Sequence, residues 1–263
     1  MSSAQTVLVV GSTGSIGRLV VREALQQGHR VRALVRSRDR ARQLPAGAEI
    51  VVGDLTRPET LTAAVADVDA VVFTHGSTGG GKEGSETVDY AGVHNVLTAL
   101  GSRSVHITLM TAIGVTHRAG SYNQATEAHD WKRRSERLVR ASGRPYTIVR
   151  PGWFDYNAPD ELHLELLQGD TRQAGNSSDG VIDRRQIAEV LVASLTAPSA
   201  DHKTFELVAT TGPAPDDLAA LFAAVDVDPP GAIDGVHDTA KMPLGGEPPR
   251  VLNDLRSVQP DRR

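Results

Sequence analysis

The sequence predicts a doubly wound α/β fold, a parallel sheet with helices on both faces, and three observations carry that prediction. Short β-branched runs alternate with longer amphipathic stretches through most of the 263 residues. Glycines stand where the helical stretches should end. The first apolar run leads directly into a glycine-rich turn and a helix. A chain of this length buries one large core with a small appendage.

Taken in order, the expected strands are Thr6–Val10, Arg30–Val35, Glu49–Val52, Ala70–Phe73, Val105–Leu109 and Tyr146–Val149, with a further strand at Lys203–Val208. Between them, Ile16–Gln27, Thr60–Val65, Tyr90–Leu100 and His129–Ser142 carry apolar residues at helical spacing, and Gly28, Gly101 and Gly143 occupy C-cap positions. Two stretches break the rhythm, His75–Glu86 and Pro151 to about Gly180. Both follow strand ends, the edge at which open α/β sheets hold their ligands, so both are candidate lids and pocket walls. Residues 1–155 therefore read as the core. Residues 156–263 read as a mixed region: a lid over 156–182, a helix and strand returning to the core over 183–210, and a C-terminal tail. Past Thr210 the composition shifts to Pro, Gly, Asp and Ala; a short helix fits Asp216–Ala224, and the tail beyond Pro229 is expected to be loosely ordered. There is no internal repeat.

A formal charge of −4 and a pI near 6.1 provide no general attraction to nucleic acid or to an anionic membrane, so the expected partner is a small molecule. Nothing in the sequence specifies an oligomer. The absence of cysteine excludes disulfides, thiolate catalysis and Cys-ligated metals, and the nine histidines are scattered without an H-E-x-x-H pair, so no metal site is expected. The start of the chain lacks a signal-peptide pattern, and no apolar run approaches the roughly 18 residues of a membrane span; a cytoplasmic protein is expected.

The string VLVVGSTGSIGRLVVREAL places Gly11, Gly14 and Gly17 between a buried strand and the first turn of a helix. Gly11 permits the tight turn, Gly14 lets backbone N–H groups approach a pyrophosphate, and Gly17 allows close packing of helix on strand; Thr13, Ser15 and Ile16 complete the cradle. This is a Rossmann-type dinucleotide site. About twenty residues further on, where an NAD-selective protein carries an acid, stands Arg36, and no carboxylate precedes Asp39. An arginine there favours a 2′-phosphate. The expected cofactor is NADP(H) rather than NAD(H).

Further blocks follow in order: VVGDL at Val51–Leu55, DYAGVHNVLTAL, ITLMTAIGVT, KRRSERLVRASGRPYTIVRPGWF and VIDRRQIAEVLVASL. With these the chain resembles the atypical short-chain dehydrogenase/reductases, including the NmrA-like NAD(P)H-binding proteins, over roughly Thr6 to Val208. The resemblance implies that Asp54 and Leu55 flank the adenine, with Asp54 accepting from its exocyclic amine. It implies that Thr74, His75 and Gly76 pass along the ribose and nicotinamide, and that Pro151 and Gly152 border the cofactor. Lys132 matches the family's ribose-binding and proton-transfer lysine. Four residues earlier, in the tyrosine position, stands Ala128, and Thr111 is the surviving hydroxyl at the family's serine turn. Asn95, mid-helix among apolar neighbours, is expected to bridge backbone groups instead of a ligand.

Tyr122, Trp153, Phe154 and Tyr156 are expected to line the substrate pocket and suit a flat or apolar molecule. His129, Tyr122 and Tyr156 are alternatives for the missing phenol, none at the family's spacing. Together these readings imply an NADP(H)-dependent reductase that passes hydride to a carbonyl or conjugated double bond of a small organic substrate, with Lys132 and Thr111 as its catalytic groups. The alternative, which Ala128 keeps open, is a catalytically silent NADP(H)-binding sensor or scaffold.

Overall fold

The computed structural model describes residues 4–77 and 79–260. Six strands form its parallel core: β1 (Thr6–Val10), β2 (Arg30–Val35), β3 (Glu49–Val52), β4 (Ala70–Phe73), β5 (His106–Met110) and β6 (Tyr146–Pro151). They lie in the order β3-β2-β1-β4-β5-β6, so the chain reverses direction across the sheet between β1 and β4. Val7 pairs with Val31 on one side and with Ala70 on the other. In such sheets the crevice outside the strand ends at this reversal is the ligand site.

Burial on both faces explains why β1 and β4 read as uninterrupted apolar runs. Leu8 and Val10 point into one core with Phe73, Leu97, Ile107 and Leu138. Val7 and Val9 point into the other with Val20, Val72, Ile187 and Phe205. The covering helices are α1 (Gly17–Gln26), α2 (Thr62–Val65), α3 (Gly81–Gly84), α4 (Ala91–Leu100), α5 (Ser121–Thr126), α6 (Ala128–Ala141) and α7 (Arg184–Ala193). A π-helical turn, Ser85–Tyr90, joins α3 to α4. β7 (Trp153–Phe154) precedes the residues read as a lid, which contribute the strands β8 (His163–Leu167) and β9 (Val181–Ile182). β10 (Lys203–Thr210) runs parallel to β6 and takes β8 and β9 antiparallel, while β7 pairs with β9.

The tail departs from expectation. It contains α8 (Leu218–Ala223) and α9 (Pro249–Ser257), and α9 buries Val251 and Leu255 in the core. The reason lies in α6, which buries Leu138 and Val139 against the sheet but turns arginines toward the tail. Asp234 meets Arg133 and Arg137 at 3.1 and 2.8 Å, and Glu247 meets Arg134 and Arg137 at 2.7 and 2.6 Å. Asp228 meets Arg140 at 3.1 Å, and Asp238 meets Arg150 of β6 at 2.7 Å. Low apolar content, taken as a sign of weak order, is here offset by carboxylates matched to buried guanidinium groups. Among the described residues, no helix is long and apolar enough to cross a membrane, and no cluster of three or more metal-ligating side chains occurs.

Candidate cofactor and substrate site

The glycine turn fills the reversal point. Gly11 has φ +82°, and a β-carbon on it would lie 2.6 Å from the His75 backbone nitrogen. One on Gly17 would collide with the Gly11 carbonyl and lie 2.9 Å from Thr74 Oγ1. Both glycines are therefore required by the packing of β1, α1 and the end of β4. Gly14 differs: it is exposed, and its only near neighbour in the same test is the Gly11 oxygen at 3.2 Å. The N–H groups of Thr13, Ser15 and Ile16 have no backbone acceptor among the described residues. Free donors at the start of a ten-residue helix are suited to an anion.

At the end of β2, Arg36 is exposed, and its charge faces Asp54. The Asp54 carboxylate accepts from Thr56 N and Oγ1 at 2.9 and 2.8 Å; the Thr56 N–H, with Arg36 and Arg57, holds its pKa below the ordinary value. Leu55 packs against α4, where a β-carbon on Gly92 would lie 3.1 Å from it, and its carbonyl accepts from Asn95 Nδ2 at 2.7 Å. Asn95 thus works inside the fold, as its surroundings suggested.

Beyond β4, Thr74 donates its hydroxyl to the Val10 carbonyl at 3.0 Å, closing β4 onto β1. Gly76 follows exposed. The His75 ring turns inward, 5.6 Å from Phe73, with Nε2 3.1 Å from the Val88 carbonyl. Loss of water around the ring pushes its pKa down to about 4, so the imidazole is neutral at pH 7. Asp89, in the π-helical turn, accepts from Ser77 N and Oγ at 2.9 and 2.7 Å and lies 3.6 Å from Lys132 Nζ. Lys132 is thereby held at the carboxyl end of β4, half-buried, with its ammonium oriented by an enclosed carboxylate. Asp89 opens the block DYAGVHNVLTAL, but no role is read for it from the sequence alone; a π-helical turn is a frequent marker of functional sites.

Three expectations change. The Thr111 hydroxyl donates to Glu136 Oε1 at 2.7 Å and is buried, so its proton is committed inside the fold and does not polarise a substrate. Burial alone would raise the Glu136 pKa, but Arg150 and Arg140 hold it down to about 2. Ala128 is 3% exposed, so the place of the family's phenol is closed by packing. Pro151 and Gly152 are enclosed: the Pro151 carbonyl accepts from Ile113 N at 3.0 Å, Gly152 N donates to Leu207 O at 2.9 Å, and a β-carbon on Gly152 would meet the Gly180 carbonyl at 2.6 Å. Their backbone polar groups are used by the fold.

Of the pocket aromatics, Trp153 and Tyr156 are exposed and meet edge to face at 6.3 Å. Tyr122 instead pairs with His129 at 5.4 Å, and Phe154 lies under the Arg184 guanidinium at 5.3 Å. Burial lowers the pKa of His129.

Comparison with known proteins gives these residues a context. A family model described as NAD(P)H-binding matches residues 11–198. The uncharacterized sugar epimerase YhfK of Bacillus subtilis is 30% identical over 220 residues, covering 82% of this chain and 99% of that protein. Sanguinarine reductase of Eschscholzia californica is 28% identical, covering 84% of this chain and 96% of the relative. Among solved structures, a Bacillus halodurans protein described as an NAD-dependent epimerase/dehydratase superposes with a TM-score of 0.67 at 24% identity, over 84% of this chain and 100% of its own. That last likeness is one of fold.

Proposed function

Because the chain belongs to the NAD(P)H-binding family, in the atypical short-chain dehydrogenase/reductase group, we propose that it is an NADP(H)-dependent reductase acting on a carbonyl or conjugated double bond of a small organic molecule. The observation that carries this reading is the convergence of Gly14, Arg36 and Lys132 on one edge of the sheet, at the ends of β1, β2 and β4. The reductase name of the Eschscholzia californica relative supports the reaction class.

In this reading the free N–H groups of the glycine turn hold the pyrophosphate, and Arg36 takes the 2′-phosphate that an acid in its place would repel. The bound nicotinamide supplies hydride. Lys132, set by Asp89, holds the ribose hydroxyls and favours proton delivery through its charge. Trp153 and Tyr156 form a wall suited to a flat or apolar substrate. Loss of a dedicated proton donor slows such a reaction by about 10²- to 10⁴-fold without abolishing it.

A second reading, a catalytically silent NADP(H) sensor, draws on the closed Ala128 site and the committed Thr111 hydroxyl. The test is NADPH consumption over a panel of quinones, ketones and enones, with NADPH and NADH titrated in parallel. Turnover with tighter NADPH binding, reversed by Arg36→Asp, is the expected result. Equal affinity for the two nucleotides removes the Arg36 assignment; tight NADPH binding with no turnover across the panel favours the sensor.

A further inference from the structure

Arg184 opens α7 immediately after its cap, Asp183. Unlike the arginines of α6, it is one-third exposed. Its side chain spans two parts of the molecule. On one side Nε donates to Ser15 Oγ, in the glycine turn, at 3.2 Å. On the other the guanidinium pairs with Asp155, just past β7, and lies 5.3 Å over the Phe154 ring. A cleft of about 340 Å³ opens beside it along the outer face of α1, walled also by Arg18 and Arg22, so this corner of an acidic protein is locally cationic.

We infer that Arg184 binds the pyrophosphate of the dinucleotide, exchanging the Asp155 carboxylate for a phosphate when the cofactor enters. The inference rests on the reading of the glycine turn as the cofactor site. Ser15 belongs to the cradle whose N–H groups are free, so a guanidinium in contact with its hydroxyl stands beside the same anion. Guanidinium groups take phosphate oxygens through two parallel N–H donors, whereas an exposed ion pair such as Arg184–Asp155 is weak and readily exchanged. The role differs from that of Arg36, because NADPH and NADH share the pyrophosphate while only NADPH carries the 2′-phosphate. Through Phe154 the exchange also links cofactor binding to the strand that carries Trp153.

The deciding experiment titrates NADPH and NADH into the wild type, Arg184→Gln and Asp155→Asn, followed by the fluorescence of the bound nicotinamide at low and high salt. Arg184→Gln is expected to weaken both nucleotides about tenfold and equally, leaving their ratio unchanged and reducing the salt dependence. Asp155→Asn is expected to tighten both several-fold, about threefold or more, by removing the competing carboxylate. Asparagine tolerates the left-handed backbone at this position, φ +57°, so this arm decides the matter even if Arg184→Gln loses stability. Unchanged affinities in Arg184→Gln, a loss confined to NADPH, or weaker binding in Asp155→Asn each overturn the assignment. A wild type that binds neither nucleotide overturns the cofactor reading itself.

Discussion

The glycine turn and helix α6 both concentrate groups that attract anions, yet they reach opposite states. At the turn the donors are the uncharged N–H groups of Thr13, Ser15 and Ile16, and among the described residues they have no backbone acceptor. In α6 the donors are full charges on Arg133, Arg134, Arg137 and Arg140, and the chain encloses each with its own carboxylates. A concentration of positive potential can take a ligand where the protein leaves it unanswered or answers it with an exposed, exchangeable partner, and not where it is enclosed with buried carboxylates. Arg133, Arg134 and Arg137 of the KRRSER run are for that reason part of the scaffold, and the neutral turn is the surface proposed to bind the cofactor.

The largest test of this contrast is Gly14→Val. Gly14 has an ordinary backbone conformation and an open face, so the fold should survive while the side chain occupies the phosphate's place. NADPH affinity should fall at least about a hundredfold, with the urea midpoint near wild type. Normal NADPH binding by this variant would falsify the placement of the site.

Arg137→Ala should act in the opposite way. It leaves Asp234 and Glu247 facing an emptied position and should cost about 3–5 kcal/mol in urea unfolding, with the NADPH Kd changed by no more than about twofold. A parallel loss of affinity would instead make α6's arginine face part of the binding surface.

The smallest effect separates the two regions by pH. Burial raises the pKa of Glu206, beside Arg150, to about 7, so the folded state holds a proton that the unfolded state releases from about pH 4.5 upward. Its contribution is therefore lost as pH rises from 4.5 through 7. His75, lowered to about 4, acts with the opposite sign: stability is lost as pH falls from 6.5 toward 4. Measured by urea unfolding, the stability of wild type minus that of Glu206→Gln should decline across pH 4.5–7 by roughly 1–3 kcal/mol. A flat difference would show that Arg150 keeps Glu206 ionised throughout.

What was legible in the sequence follows the same division. β1, β2, β3 and β4 begin and end where their β-branched runs do; in the central β1 and β4 burial on both faces leaves a continuous signal. The strand HLELL of β8 alternates His163 and Glu165 with leucines inside a segment rich in Asp, Gly and Gln, and its pairing partner lies forty residues on, so period and context disagree. The tail was misread because its order comes from Asp228, Asp234, Asp238 and Glu247 meeting specific arginines, and such pairings leave no periodicity. In the candidate site, glycine spacing pointed to the backbone cradle and, by its distance along the chain, to Arg36. Asp89 and Arg184 could not be found that way, since each gains its role from a neighbour far along the chain: Lys132 in one case and Ser15 in the other. The partner of Thr111, Glu136, lies 25 residues on in a helix read from its apolar spacing, which says nothing about what its charged residues meet.

The arginine face of α6 also has a consequence in time. Arg137 emerges from the ribosome 97 residues ahead of Asp234 and 110 ahead of Glu247. At about 5–20 residues per second, that gap lasts roughly 5–20 s. Throughout it the helix that carries Lys132 has a cationic side without its partners, and carboxylates translated long after it are the ones that neutralise that side.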